Sequence, residues 1–174
     1  NNNRVDIAAE ALDFAIRFGD GAWHGTFAEP LFEAELTPLC APSIANRLSS
    51  PRDLSQEPLL RSYRPDEWRR WFEAAGTPQP VLRGPVFDSS ALMVAAAANG
   101  LGVALAPAAM FTRELIAERL VQPFDIAVDA GRYWLTRLIS RKESDAMRSF
   151  RRWLLNETTA EARLCSERDL PALA

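Results

Sequence analysis

The chain has 174 residues, of which 48% are hydrophobic and 25% charged, and this composition excludes a disordered or fibrous protein. Its formal net charge is −3, and residues 1–36 carry seven acidic side chains against two basic ones. Nucleic-acid-binding domains usually carry a basic surplus, so we do not expect this chain itself to contact DNA.

Cysteine and histidine usage gives no sign of a metal centre or an active site. Cys40 and Cys165 stand far apart and outside any metal-binding motif, which is typical of reduced thiols in a cytoplasmic protein. One histidine, His24, cannot build a nitrogen-rich metal site, and no serine stands in a nucleophile-elbow motif. We therefore expect no metal, no cofactor and no catalytic residue. No apolar run reaches the roughly 20 residues of a membrane span, so we expect no membrane contact.

The first predicted strand is short and amphipathic. Phe14, Ile16 and Phe18 alternate with other residues, which predicts a half-buried strand with one apolar face. Residues 22–28 are then predicted as a loop and residues 31–39 as an extended segment. The proline inside that segment is typical of an edge strand or of a crossing between two lobes.

A predicted strand over residues 59–63 leads into the clearest helix of the sequence. Pro65 stands at its predicted first position, and acidic residues follow in the first turn, where they complement the helix dipole. An apolar stripe recurs at helical spacing and predicts burial in the core, and Gly76 ends the helix. The stripe consists of Trp68, Trp71, Phe72 and Ala75.

Residues 86–107 predict a strand, a polar turn, an alanine-rich helix, a glycine break and an apolar strand. The polar turn, Asp88-Ser89-Ser90, stands at the carboxyl end of a strand and at the amino end of a helix. Open α/β sheets bind their ligands at this place, where backbone N–H groups and the helix dipole suit anionic or strongly polar ligands. Aspartate and serine are also ordinary helix caps, so the turn is either a cap or a ligand site.

The C-terminal part continues to alternate between helix and strand. A helix is predicted over residues 108–117, a strand over residues 133–138 and a final helix from Ser144 or Asp145. Beyond Asn156 the chain is polar, and we expect a flexible tail. The alternation as a whole predicts an α/β fold with largely parallel strands.

Three polar side chains have two possible roles each, one functional and one structural. The Tyr133 hydroxyl either donates into a cleft or satisfies a backbone carbonyl. Asp6 is ambiguous in the same way. His24 is either a pocket residue or a surface histidine.

Two sets of sequence segments resemble a known family, and together they cover about residues 1–155. The first set is similar to the effector-binding domain of LysR-type transcriptional regulators. It consists of DFAIR (13–17), ANGLGVALAP (98–107), LVQPF (120–124) and FRRWL (150–154). The second set resembles, more narrowly, the AmpR-type regulators of inducible β-lactamase genes. It consists of NNNRVD (1–6), LRSYRPDEW (60–68), VFDSS (86–90) and YWLTRL (133–138).

The resemblance implies two Rossmann-like lobes, as in periplasmic binding proteins, with an effector cleft between them. Lobe I would comprise residues 1–36 and a return over residues 134–156, and lobe II residues 37–133. Residues 157–174 would form the flexible tail. The resemblance also implies that the winged helix-turn-helix and the first strand–helix–strand of lobe I lie outside this chain, which leaves lobe I truncated at its N-terminus.

The resemblance further implies a non-enzymatic sensor in a regulator of β-lactamase expression and antibiotic resistance. Its effectors would be cell-wall muropeptides: a UDP-linked peptidoglycan precursor, or anhydro-muropeptides from peptidoglycan recycling. The regulator would be a cytoplasmic homo-oligomer, a dimer or tetramer, that reaches promoter DNA only through the winged helix-turn-helix. A small-molecule solute-binding protein of related fold is the alternative.

Site residues follow from the resemblance position by position. Ser90 and Tyr133 match positions that line the effector pocket in the family. Asp6 matches a position tied to holding the uninduced state. Ser89 and Asp88 extend the effector site from the geometry of the turn.

Overall fold

The computed structural model describes residue 7 and residues 9–166, with side chains described as far as residue 159. Strands and helices alternate along most of this length, as the sequence predicts. Short 3-10 turns span Pro51–Gln56 and Ala108–Phe111. The strands are β1 (Ala15–Gly19), β2 (Thr26–Leu39), β3 (Arg61–Ser62), β4 (Val86–Phe87), β5 (Ala104–Pro107) and β6 (Val128–Leu138). The helices are α1 (Pro42–Ala45), α2 (Glu67–Ala74), α3 (Ser90–Ala98), α4 (Thr112–Ile116) and α5 (Asp145–Ser166).

The chain divides into two compact units. The first comprises Glu35–Ala130, and the second comprises the described residues up to Ala34 and from Gly131 onward. The long strands β2 and β6 each begin in one unit and end in the other. Each unit therefore contains parts that are far apart in sequence.

In the first unit, the chain around β3 has parallel neighbours on both sides. β3 pairs with β4 in parallel, with Ser62 opposite Phe87. On the other side the Leu60 N–H donates to the Val103 carbonyl at 2.9 Å, and the Val103 N–H donates to the Pro58 carbonyl at 2.9 Å. The predicted strand–helix–strand over residues 86–107 is thus confirmed, with α3 between β4 and β5.

Helices cover both faces of this sheet, because successive strand residues point to opposite sides. Val103 and Leu105 pack in one buried cluster together with α2. Ala104 and Ala106 pack in a second cluster together with α3. The first unit is therefore a sheet between two apolar layers.

The predicted stripe of α2 forms the centre of the first cluster. Trp68, Trp71 and Phe72 are at most 3% exposed. Each indole N–H also has a partner: Trp68 donates to the Leu60 carbonyl at 2.8 Å and Trp71 to the Ile126 carbonyl at 2.9 Å. The stripe is core, as predicted.

In the second unit, β1 pairs antiparallel with β6, which neighbours β2. Aromatic side chains supply much of its packing. Phe14 packs against Phe150 of α5 with ring centres 5.7 Å apart. Met147 of α5 and Leu135 of β6 are buried.

Several expectations differ from the structure. The expectation of largely parallel strands is wrong for two pairs, since β1 with β6 and β2 with β5 are antiparallel. Helix α2 begins at Glu67 with Asp66 as its N-cap, so Pro65 precedes the helix.

The last helix is longer than the sequence analysis expects. Helix α5 continues to Ser166, although a flexible tail was expected from residue 157. Charged and alanine residues in this stretch favour helix. The hydroxyls of Thr158 and Thr159 find a partner within the helix, since both donate to the Leu155 carbonyl. Residues 167–174 lie outside the described residues.

Candidate functional site

The first unit has a polar edge where two parallel strands end. Ser62 ends β3 and Phe87 ends β4, and these two residues are opposite each other in the register. The residues that follow, Tyr63-Arg64 and Asp88-Ser89-Ser90, therefore leave the sheet at the same edge. This is the edge at which open α/β sheets bind ligands.

The turn Asp88-Ser89-Ser90 builds the amino end of α3. Ser89 is the N-cap in an extended backbone conformation, and its side chain accepts from the Leu92 N–H at 3.5 Å. Ser90 is the first residue of the helix. Ser89 and Ser90 are half-buried and Asp88 is exposed. The cap interpretation of Ser89 is confirmed, and it leaves the dipole end of α3 beside the Ser90 hydroxyl.

The end of α3 is set by its glycine. Gly100 adopts φ +76°, a left-handed conformation that favours glycine, and its N–H donates to the Ala97 carbonyl at 2.9 Å. The Leu101 N–H donates to the Ala96 carbonyl at 3.1 Å. This termination fixes the length of the helix whose amino end carries the site.

The loop after β3 carries a positive charge at the same edge, which the sequence analysis did not single out. The Arg64 side chain is about one-third exposed, and its Nη1 lies 3.4 Å from the Glu67 carboxylate. The guanidinium also lies 5.9 Å from the ring centre of Tyr63. No local pattern in the sequence marks this loop, since only the observed register of β3 with β4 brings it to this edge.

Tyr133, the fourth predicted effector contact, belongs to the second unit. It lies on β6 opposite Phe18 of β1. Its ring is edge-on to Phe18 at 5.2 Å and stacked on Phe32 at 4.9 Å. These two rings fix the orientation of the phenol, and the residue is half-buried.

Two further candidates remain, Asp6 and His24. Asp6 lies outside the described residues, so its predicted role stays a prediction. His24 is exposed in a loop. Among the residues that the structure describes, no cluster of histidine, cysteine and acidic side chains could hold a metal ion. No helix in that same part is long and apolar enough to cross a membrane.

Cys40 is a buried thiol. Burial, with the Glu57 carboxylate as a smaller cause, raises the pKa of Cys40 to about 11. A thiol with such a pKa is protonated near neutral pH and therefore a poor nucleophile.

Comparison with known proteins identifies the family. The LysR substrate binding domain family matches residues 1–159. The HTH-type transcriptional activator AmpR of Pseudomonas aeruginosa is 61% identical over 165 residues, which are 94% of this chain and 56% of that protein. The chain thus spans about half the length of the curated relatives it matches.

Solved structures give the same result. The effector domain of Pseudomonas aeruginosa AmpR has a TM-score of 0.83 at 61% identity, covering 94% of this chain and 80% of that one. The Citrobacter freundii AmpR effector binding domain, with a threonine changed to valine, a serine to alanine and a tyrosine to phenylalanine, has a TM-score of 0.82. It is 51% identical and covers 91% of this chain and 81% of that one.

These domains have the two-lobed fold of periplasmic binding proteins, which confirms the predicted fold class. The predicted resemblance is confirmed as well. The chain belongs to the LysR substrate-binding-domain family and is an effector domain of the AmpR type.

Proposed function

We propose that this chain is the muropeptide-sensing domain of a LysR-type regulator of β-lactamase expression. The observation that carries the proposal is the Asp88-Ser89-Ser90 turn, at the amino end of α3 and at the carboxyl edge of parallel strands. The candidate effectors are a UDP-linked peptidoglycan precursor and anhydro-muropeptides. Both carry carboxylates, and the precursor also carries a pyrophosphate, so both suit N–H donors at a positive helix end.

The variant of the Citrobacter freundii domain supports Ser90 and Tyr133 as effector contacts. The serine and the tyrosine exchanged there are separated by the same number of residues as Ser90 and Tyr133. We infer that the Ser90 hydroxyl and the Tyr133 phenol donate to polar groups of the effector. In this proposal the Tyr133 hydroxyl binds the effector rather than a backbone carbonyl.

The proposed whole protein is a cytoplasmic, oligomeric and non-enzymatic regulator. Effector binding would favour one conformation over another, and a separate winged helix-turn-helix would carry that preference to promoter DNA. This chain has more acidic than basic side chains, which supports a proposal in which a different domain contacts the DNA.

Calorimetric titration of a complete effector domain that contains this chain, with UDP-linked muropeptide as the ligand, tests this proposal. Wild-type chain is expected to bind saturably, and a Ser90→Ala, Tyr133→Phe double variant to bind at least tenfold more weakly, because each lost hydrogen bond to a charged group is worth about 1.5–3 kcal/mol. Ser149→Ala, an exposed serine on α5, is the control and should bind as wild type does. Equal affinity of the double variant and wild type would refute the site, and no binding by wild type would refute the function.

A further inference from the structure

We propose that Phe32 is a positioning residue for effector binding, because its ring holds the Tyr133 phenol in the direction from which the hydroxyl contacts the effector. This role rests on the proposed function, which makes Tyr133 an effector contact. Phe32 itself need not touch the effector.

Three aromatic rings lie in a row across three neighbouring strands of the second unit. Strand β6 lies between β1 and β2 in the sheet, and it carries the middle ring, Tyr133. Phe18 of β1 is opposite Tyr133 in the register, and Phe32 lies on β2. All three residues belong to the second unit, so that unit alone builds the row.

The two flanking rings contact Tyr133 in different ways. The Phe18 ring is inclined by 65° to the phenol ring, with 5.2 Å between the ring centres. The Phe32 ring is inclined by only 27°, with 4.9 Å between the ring centres. A nearly parallel ring covers one face of the phenol, so rotation of the phenol about its side-chain bonds would drive it against Phe32. Phe32 is therefore the stronger restraint on the direction of the hydroxyl.

A glycine leaves room for the other flanking ring. Gly131 lies two residues before Tyr133 on β6, so a side chain there would point to the same face of the sheet. A Cβ at Gly131 would lie 3.0 Å from Cζ of Phe18 and would crowd that ring. The absence of a side chain at Gly131 thus lets Phe18 pack beside Tyr133.

The aromatic row lies at the margin of the core of the second unit. Phe18, Phe32 and Tyr133 are each half-buried, whereas Leu135, the next residue on the same face of β6, is only 2% exposed. A tyrosine at such a margin keeps its ring packed and directs its hydroxyl to a polar partner. The row therefore suits the presentation of a phenol to a ligand better than the filling of a core.

A phenol held in one direction binds a ligand more tightly than a mobile one. The strength of a hydrogen bond falls steeply as its angle departs from linearity. A side chain that is already held also loses less conformational freedom on binding. Without the Phe32 ring, the Tyr133 hydroxyl would sample more directions, and the affinity for the effector would fall.

A double-mutant cycle between Phe32 and Tyr133 tests the inference. Calorimetry uses a complete effector domain that contains this chain, with UDP-linked muropeptide as the ligand. Phe32→Leu and Phe32→Met remove the ring, and each is titrated with Tyr133 intact and in the Tyr133→Phe background. We expect both to weaken binding about fivefold with Tyr133 intact but less than about twofold in the Tyr133→Phe background, where no hydroxyl remains to be positioned. Phe32→Tyr keeps an aromatic ring and should bind within about twofold of wild type.

Phe27→Leu is the matched control on the same strand. The Phe27 ring lies against the Arg137 guanidinium, whose central carbon is 5.0 Å from the ring centre. This change should leave the affinity unchanged in both backgrounds. Thermal unfolding without ligand measures the loss of packing in every variant. If neither Phe32→Leu nor Phe32→Met is folded at the temperature of the titration, the ring is structural and the inference is wrong.

The outcomes for the positioning role and for the proposed function are distinguishable. Equal losses of affinity in the two backgrounds would show that Phe32 acts through packing alone. That result, or unchanged affinity on removal of the ring, would overturn the inference and leave the proposed function standing. If Tyr133→Phe alone binds as wild type does, the Tyr133 contact is wrong, and the positioning role is wrong with it. Failure of the wild-type domain to bind would refute the proposed function itself.

Discussion

The Arg151 guanidinium of α5 donates from Nη1 to both carboxylate oxygens of Glu29 on β2, at 3.1 Å each. Its Nε also donates to Glu143 at 3.0 Å. Both carboxylates raise the pKa of Arg151, first through the hydrogen bond to Glu29. Arg151 therefore links helix α5 to strand β2.

Removing this arginine should destabilise the chain. The side chains of Arg151 and Glu29 are only 33% and 25% exposed, so Arg151→Met should lower the free energy of unfolding by about 1–2 kcal/mol. Arg152→Met, which replaces the exposed neighbour, should change it by less than about 0.5 kcal/mol. Urea denaturation monitored by tryptophan fluorescence measures both, and equal effects of the two changes would contradict the role of the pair.

Replacing Ser89 with aspartate distinguishes a role in helix capping from a role in ligand binding. Aspartate caps helices as well as serine does, so Ser89→Asp should leave stability within about 0.5 kcal/mol of wild type. The added negative charge should nevertheless weaken binding of an anionic muropeptide about tenfold, because it meets the effector at the helix end.

A second serine cap supplies the control for that change. Ser144 caps α5 in the same way, with its side chain accepting from the Met147 N–H at 3.2 Å. Ser144→Asp should leave both stability and muropeptide affinity unchanged. Similar losses of affinity for the two aspartate variants would show that α3 has no special place in binding.

The buried thiol of Cys40 should be inert in the folded chain. Its pKa of about 11 leaves almost no thiolate at pH 8, so a disulfide reagent should label it only after unfolding. The experiment uses a Cys165→Ser background, and labelling at the same rate with and without denaturant would contradict the burial.

The raised pKa of Cys40 also predicts a pH dependence of stability. The thiol ionises near pH 9 when unfolded and near pH 11 when folded, so the folded state binds more protons between these values. The free energy of unfolding should therefore fall as the pH rises from about 9 to 11. Cys40→Ala should remove that part of the decline, and an identical slope in both proteins would contradict it.

Gly84 permits a close approach of two backbones just before β3 and β4 begin. A Cβ at this position would collide with the Leu59 carbonyl, and the Arg61 side chain donates from Nε to the Gly84 carbonyl at 2.8 Å. Since backbone cannot yield as a flexible side chain can, Gly84→Ala should cost about 2–3 kcal/mol of stability.

Gly76→Ala is the comparison, because φ is +61° there and no atom lies within 4 Å of the added Cβ. It should cost only about 1 kcal/mol. A smaller loss for Gly84→Ala in thermal unfolding would contradict the steric argument.

The amphipathic elements could be predicted from the sequence because burial follows a local period. The apolar stripe that begins at Trp68 predicts helix α2, and the polar turn at Ser89 predicts the start of α3. Both predictions lie within a few residues of the observed bounds. Local chemistry also explains the cap, since the residue types that favour it stand at the required position.

Pairing between distant strands could not be predicted in the same way. The direction of β2 relative to β5 depends on contacts between residues near 37 and 106, and no local pattern encodes it. Ile16 shows a related limit: alternation predicts that it lies on a half-buried apolar face, but the side chain is 56% exposed, because burial depends on what packs against that face. Arg64 was missed for this reason too, since only the register of β3 with β4 brings its loop to the polar turn.

An NMR titration of the isotope-labelled chain with UDP-linked muropeptide tests the central claim most directly. The account predicts that the backbone amide signals of residues 88–92 shift progressively and saturate, together with signals from Tyr133. Shifts confined to other parts of the chain, or no saturable shift at all, would contradict the assignment of an effector site to the amino end of α3.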